Sequence, residues 1–594
     1  MPLPTVLDSL ISRSLRQSSR TAFSIARGDQ IQSSMTWGDL VHRSLVAARC
    51  LSDAGLRRGD RVIVCLPIGQ DLLSTLFGVL LAGGVCVPSY PLVTGHGLER
   101  WKQQIRTAAR VAQVRYAIAL PSQRTLVSAL LAELREGTLA LDPGQLRDGA
   151  PADFRAVEPS DLALIQFTSG TTRDPRGTAI SHAALAANVS GLVNALALDE
   201  DIVSVSWLPP YHDMGLVGHV FAPVVCGAHQ VLLPTHQFLS RPVSWLQLIS
   251  KLRANQTTAP NTGYSICARR VPVEAREDLD LSTLRQALVG AEPVLPDTLD
   301  AFSKAFSPCG FSASAFRPVY GLAESTLAVS IAPPGGVRVD RVSRSALASS
   351  GRALPSECGN DSILFVRVGH HLPDHELRVV DPLGNPCEPR HVGEILVRGP
   401  SLMQGYFNDP AASRDALRGG WLRTGDLGYL ADGALHVTGR SKDLVIKGGR
   451  NYVPVDIEAA CEEDPAIRRG RVVAFGVSNP STGTEDIVVV AETRRKQSIG
   501  SPDLARRLTA LVVERVGVRP DHVEVMGPGV LPKTSSGKLQ RARIKAAWER
   551  GAKLRTQAPG RLMDSQLVEL VRGRALALAD LGWSKAREWL NWRQ

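Results

Sequence analysis

Over residues 1–160 the chain alternates between two hydrophobic periods. In "RRGDRVIVCLP" (57–67) a polar turn opens onto a continuous apolar run, which predicts a buried strand. "LLSTLFGVLLAGGVCVPSYP" (72–91) predicts a helix, a tight glycine turn and a second strand. This alternation implies an α/β class with layered helices and a largely parallel sheet, and the texture continues to about Ser330. Some 45 residues of looser composition follow, including "APPGGVRVDRVSRSALASSGRALPSECGND". Strand patterns return at "HELRVVD", "GEILVRG" and "GYLADGALHVTGR", which predict a β-rich part. A last unit, from about Lys442 to Ala552, has its own helix and strands ("VDIEAACEEDPAI", "RVVAFGV", "DIVVVAE") and reads as a small α+β domain. The final 40 or so residues form a helical tail with Trp583, Trp589 and Trp592, and no internal repeat is visible.

Composition narrows this picture. At 594 residues the chain is too long for one core, so two to four domains are expected. With 44% apolar and 21% charged residues it reads as an ordinary soluble globular protein. The nine scattered cysteines include no CxxC pair, which argues against a disulfide framework or a zinc site and for a reducing compartment. The opening "MPLPTVLDSLISRSLRQ" lacks the apolar core of a signal peptide, and the apolar run from Leu72 to Pro88 falls short of the roughly 20 residues a membrane helix needs. A cytoplasmic location is therefore expected. A net charge of +11 would suit nucleic acid, but no Lys/Arg run with interleaved aromatics accompanies it. Polyphosphate ligands or an acidic protein partner account for the surplus equally well.

Five stretches carry candidate chemistry. "QFTSGTTRDPRGT" (166–178) follows an apolar strand and offers the hydroxyls of Thr168, Ser169, Thr171 and Thr172, with Gly170 allowing close backbone approach and Arg176 a fixed charge. It is not a Walker A motif, because no Lys-Ser/Thr follows its second glycine. "WLPPYHDMGLVG" (207–218) sets Tyr211, His212 and Asp213 between a proline turn and a glycine-broken apolar helix. "VYGLAEST" (319–326) places Tyr320, a ring able to stack a base, beside Gly321, with the lone acid Glu324 four residues on and suited to Mg²⁺. "WLRTGDLGYL" (421–430) presents Asp426 in a glycine-flanked turn, able to accept two ribose hydroxyls. "LPKTSSGKLQR" (531–541) holds Lys538 on a short arm near the end of the last domain. Taken singly, each has an ordinary explanation as a surface turn, a helix cap or a strand end.

Together and in this order, over about residues 10–550, the five resemble the adenylate-forming superfamily of acyl-CoA synthetases, luciferases and peptide-synthetase adenylation domains. The resemblance implies a large N-terminal domain (1–438), a hinge (439–443) around Lys442, a small mobile lid domain (444–554) and the extra tail (555–594). It implies that Thr168, Ser169, Gly170, Thr171, Thr172 and Arg176 hold the phosphates of ATP. By the same resemblance Gly290, Ala291, Glu292 and Pro293, with Tyr320, Gly321, Leu322 and Ala323, form the adenine side. Glu324 would carry Mg²⁺, Asp426 and Arg440 the ribose, and Lys538 would bridge the α-phosphate and the substrate carboxylate. The family's usual Pro-Lys-Gly reads Pro175-Arg176-Gly177 here, which keeps the charge but changes a point charge into a fork.

Within the superfamily, "WLPPYHDMGLVG" with "FLSRPVSWLQLIS" (238–250), and "GGRNYVPVDIE" after the hinge, resemble fatty acyl-AMP ligases. The long spacing between Glu324 and "HELRVVD" resembles the insertion of those ligases, placed within about 333–371, which is held to restrain the small domain and disfavour CoA. The implied reaction joins a fatty acid to AMP with release of pyrophosphate and passes the acyl group to the phosphopantetheine thiol of an acyl carrier protein, with His212 near the carboxylate. The alternatives are a long-chain fatty-acid–CoA ligase, an amino-acid adenylation domain and a catalytically inactive nucleotide- or lipid-binding regulator. The tail stripe Leu562, Leu567, Leu570, Val571, Leu578 and Leu581 is expected to pack back on the protein rather than on a membrane or partner.

Overall fold

The computed structural model describes residues 3–92, 98–154, 156–167, 175–357, 359, 361–448, 450–479, 482, 484–533 and 539–550. Thr168, Ser169, Gly170, Thr171, Thr172, Lys538 and the tail lie outside the described residues.

Two large sheets dominate residues up to Arg440. In one, the strands Leu162–Phe167, Val85–Pro88, Arg61–Cys65, Tyr116–Ala119 and Leu139–Leu141 run parallel, and Gly177–Ser181 and Gly405–Tyr406 extend it antiparallel beyond Leu162–Phe167. Parallel neighbours need crossover helices. The helix Gln70–Leu81 supplies one, and Gly83, at φ +77°, turns the chain back into Val85–Pro88.

The second sheet begins as a parallel set: Thr21–Arg27, His229–Leu232, Val203–Ser206, Gln256–Ala259, Gln286–Val289 and Phe316–Gly321. At Ala328–Ile331 the direction reverses, and an antiparallel series continues through Ser362–His371, Ala434–Arg440, Trp421–Ala431, Gly393–Arg398 and Glu376–Val380. Beneath the carboxyl ends of the parallel strands lies an aromatic core. The Tyr264 ring sits 5.1 Å from both Phe302 and Phe316, and its hydroxyl donates to the Leu288 carbonyl at 2.9 Å. That packing fixes the two strand ends from which Gly290 and Tyr320 emerge.

Three local findings differ from the sequence expectation. Asp426 lies inside the strand Trp421–Ala431 rather than in a turn, and Gly425 (φ +70°) falls where that strand's pairing with Gly393–Arg398 shifts register, between the partners of Glu394 and Leu396. The segment after His212 is not broken at glycine: Asp213–Leu216, a π-turn at Val217–Phe221 and Ala222–Cys226 form one helical run. The looser region is ordered as a strand, Val339–Ser343, paired antiparallel with Ser362–His371, and a helix, Arg344–Ser350, capped by the Ser343 hydroxyl.

Residues 445–549 form a unit with its own centre. Ile467–Asn479 pairs antiparallel with Thr484–Thr493, which pairs parallel with His522–Met526, and the helices Pro454–Glu462, Pro502–Val516 and Arg541–Glu549 pack around them. Its buried clusters draw only on residues from Val445 onward, while the clusters of the larger part stop at Val437. Among the described residues, no apolar cluster crosses the Thr438–Leu444 stretch.

Candidate active site

The site is built where the second sheet changes from parallel to antiparallel, a place where a strand's carboxyl end opens a crevice beside it. Gly290 leaves Gln286–Val289 so close to the next strand that a Cβ would lie 2.6 Å from Val319 Cγ2, and Ala291 takes the left-handed region at φ +65°. Glu292 accepts from the Thr262 amide, and Pro293 is exposed beside it. Gly321 ends Phe316–Gly321 against the Leu327 carbonyl, where a Cβ would stand 1.9 Å from the oxygen, so no other residue fits. Leu322 donates its amide to that same carbonyl at 2.9 Å, and Ala323 is buried.

The turn bearing Glu324 is held from several sides. Asn188 donates to the Ser325 and Ala328 carbonyls at 3.0 and 2.9 Å and accepts from the Ala328 amide at 3.1 Å. Thr326, at φ +66°, donates its hydroxyl to the Ser401 carbonyl at 2.7 Å, and the Met403 amide donates to the Glu324 carbonyl at 2.9 Å. A strained turn so over-determined fixes the carboxylate that projects from it.

Tyr406 was not legible as a site residue. It stands 82 positions from Glu324, yet its hydroxyl donates to Glu324 Oε1 at 2.8 Å. The Arg176 guanidinium lies 5.1 Å over the Tyr406 ring and 3.5 Å from Asp409. Strand pairing explains this approach, because Tyr406 sits opposite Thr178, two residues past Arg176. Burial pushes the Glu324 carboxyl above its ordinary pKa, while the Tyr406 hydrogen bond and the Arg440 charge oppose that rise. A divalent cation would settle such a desolvated carboxylate. Among the described residues there is no group of three or more His, Cys, Asp or Glu able to cage a metal. One carboxylate completed by substrate phosphates is the arrangement Mg²⁺ commonly takes, so the donor set fits it.

Asp426, 5% exposed, receives the Tyr320 hydroxyl on Oδ2 at 2.7 Å and Arg440 Nε on Oδ1 at 3.0 Å. Its amide donates to Thr424 Oγ1 at 3.0 Å. Asp426 in turn raises the Arg440 pKa, and burial followed by Asp426 raises that of Tyr320. Each Asp426 oxygen retains lone-pair capacity for a further hydroxyl. Tyr320, Asp426 and Arg440 are thus brought together, with Glu324 near enough to feel Arg440.

His212 lies in the turn Pro209–Asp213, its ring 5.1 Å from that of Tyr211, which is 5.7 Å from Tyr90. Asp213 adds repulsion at Glu324, so this turn faces the same crevice. Lys442 is exposed just after Arg440. From the smaller unit Lys533 reaches the site's edge. Burial first, and Arg471 next, draw its amine down to about 8, while Glu292 across the seam and Glu492 within the smaller unit oppose this.

A family model described as AMP-binding enzyme matches residues 12–407, a span that contains Arg176, Gly290, Tyr320, Glu324 and Tyr406. The chain belongs to the AMP-binding enzyme family. Its place there is with the fatty acyl-AMP ligases. A structure from studies of fatty acyl-adenylate ligases from E. coli and L. pneumophila superposes with a TM-score of 0.86 at 34% identity, covering 92% of this chain and 98% of that one. The medium-chain-fatty-acid–[acyl-carrier-protein] ligase JamA of Moorena producens is 31% identical over 578 residues, 92% of this chain and 95% of JamA. A Caulobacter vibrioides protein that carries the provisional name acyl-CoA synthetase is 36% identical over 561 residues, 92% of this chain and 96% of its own. ATP-dependent adenylate formation is the reaction of this enzyme family.

Proposed function

We propose that this protein activates a fatty acid as its acyl-adenylate and then delivers the acyl group to the phosphopantetheine thiol of an acyl carrier protein. The observation that carries the first step is the Tyr320–Asp426–Arg440 network set beside Glu324 in one crevice. In this reading Asp426 receives the ribose hydroxyls, Tyr320 and the Gly290–Pro293 edge flank the adenine, and Arg176 with the loop from Thr168 to Thr172 holds the phosphates. Glu324 would hold Mg²⁺, which when bound offsets charge on the phosphate oxygens. The fatty-acid carboxylate attacks the α-phosphorus in line, the acyl–O–P bond forms and the bond to pyrophosphate breaks. Two anions must meet, so the protein's share is orientation and charge compensation, with Lys538 placed between them and His212 at the carboxylate side.

The second step is supported by the name of JamA and by one contact. Arg344, on the helix of the 333–371 segment, forms a half-buried ion pair with Asp456 of the smaller unit. Such a pair restrains the smaller unit, as an insertion that disfavours CoA would. The Caulobacter relative's name supports the second reading, a CoA-forming ligase. The test is one mass-spectrometric assay with ATP, Mg²⁺ and a panel of fatty acids, with CoA in one arm and a phosphopantetheinylated carrier protein in the other. Acyl-adenylate that persists with CoA and is consumed by the carrier is the expected result. Abundant acyl-CoA overturns the carrier reading, and no pyrophosphate with any carboxylate overturns both.

A further inference from the structure

Away from the crevice, a second cleft of about 340 Å³ opens between the end of the helix Asn261–Arg270 and the smaller unit. The larger part contributes Arg269; the smaller contributes Arg469, Arg494 and three acids, Glu462, Glu463 and Asp464. By formal count the wall is balanced, but its pairing is not. Glu463 is bound by Arg515 at 3.0 Å, and Asp464 is bound by Arg507 at 2.9 Å and caps the Ala466 amide at 2.8 Å. Glu462 accepts the Gly470 amide at 2.5 Å and is pushed towards its neutral form by burial. Every carboxylate is therefore engaged. Among the described residues no carboxylate lies within ion-pair distance of Arg269, Arg469 or Arg494, and the Arg269 guanidinium spends one N–H on the Ser265 carbonyl at 3.2 Å. Partial burial of the guanidinium first, and then the charges of Arg494 and Arg469, lower the Arg269 pKa, with Glu462 opposing them. Three guanidiniums without an ion-pair contact line one cleft, where only the charge of Glu462 offsets their mutual repulsion at Arg269, and a multiply charged anion relieves that repulsion while accepting their forked donors.

We infer that this cleft binds a phosphate-bearing anion, and that the bound anion clamps the smaller unit to the larger by joining Arg269 on one side to Arg469 and Arg494 on the other. A cleft of about 340 Å³ leaves room for more than a single phosphate, up to a ligand of nucleotide size. The site is distinct from the nucleotide crevice, since none of its lining residues takes part in the Tyr320, Asp426 or Glu324 contacts.

The test is calorimetric titration of the full chain with inorganic pyrophosphate, comparing the wild type with R269Q and with R469Q/R494Q. All three changed side chains are exposed, and the two variants alter the cleft from opposite units. Each variant is expected to lose one equivalent of pyrophosphate relative to the wild type, because each charge-assisted contact removed weakens binding about tenfold or more. Equal stoichiometry and affinity in all three proteins overturns the site. Trypsin reports the clamp: pyrophosphate should slow cleavage at Arg440 and Lys442 more in the wild type than in R269Q, and equal protection of the two overturns it.

Discussion

The two sides of Arg440 hold their functional groups in different ways. On the larger side each site residue is tied into its sheet: Glu324 sits on a turn clamped by Asn188 and Thr326, and Asp426 is held by three neighbours. On the smaller side the groups that reach across do so through charge. Arg344 meets Asp456, Lys533 faces Glu292, and Arg269 faces Arg469 and Arg494, and among the described residues no apolar cluster joins the two sides. A receptor for a nucleotide gains from rigidity, because ordering is already complete before the ligand arrives. If the smaller unit serves both steps of the proposed reaction, it gains from a seam whose contacts can be exchanged.

The largest expected effect breaks this contrast at the arm. Lys538→Ala should lower acyl-adenylate formation by about 10²–10³-fold while leaving ATP affinity near the wild-type value, measured by pyrophosphate release and nucleotide binding. Unchanged adenylate formation would remove Lys538 from the reaction.

Acid should separate the two sides next. His182 and His219 are buried in the larger part, and burial draws each down to about 4. For His219 the tautomer follows from its partner. Gln230 donates its amide to the Ser204 and Val231 carbonyls, so its oxygen accepts and the imidazole donates through Nδ1. The folded pKa lies below the unfolded value, so each histidine's stabilisation is complete above about 6.5 and is lost as pH falls towards 4. The loss is about 3 kcal/mol per residue. Asp456, raised by burial to about 6, runs the opposite way between about 4 and 6, because there its folded form binds the proton more tightly. Denaturant unfolding across pH 4–7 should show the larger part weakening first, and His219→Gln should flatten that slope.

Asp426→Asn keeps the shape of the proposed ribose site and removes its charge. The KM for ATP should rise about 10–100-fold, as expected for losing charge-assisted hydrogen bonds, with a smaller change in kcat. A smaller effect again is expected from Tyr406→Phe. Removing the donor to Glu324 Oε1 raises that carboxyl further, so the acid limb of the kcat/KM profile should move to higher pH by up to about one unit. An unmoved limb would mean that Glu324 does not titrate in the reaction.

How much of this could be read from the chain depended on the range of the signal. The α/β layering, the small α+β unit and the local motifs around Tyr320, Glu324 and Asp426 follow from short patterns. Tyr406 and Arg344 were silent, because their partners stand 82 and 112 residues away, and pairing at that distance leaves no trace in a single sequence. The strand position of Asp426 was missed because two glycines beside an acid look like a turn. In fact Gly425 there sits in a shift of the pairing with Gly393–Arg398. The resemblance supplied the assignment of roles, and the phosphate loop and Lys538 lie outside the described residues.

Among the described residues no apolar cluster crosses the seam, and this has a thermal consequence. Displacing the smaller unit would uncover little hydrocarbon surface, so the change should carry a small heat capacity and its balance should hardly shift with temperature. Screening is different. At about 0.15 M salt the Debye length is about 8 Å, comparable to the reach of these side chains. The ionic composition of the surroundings, more than warmth, would then set how long the two halves stay together in each turnover.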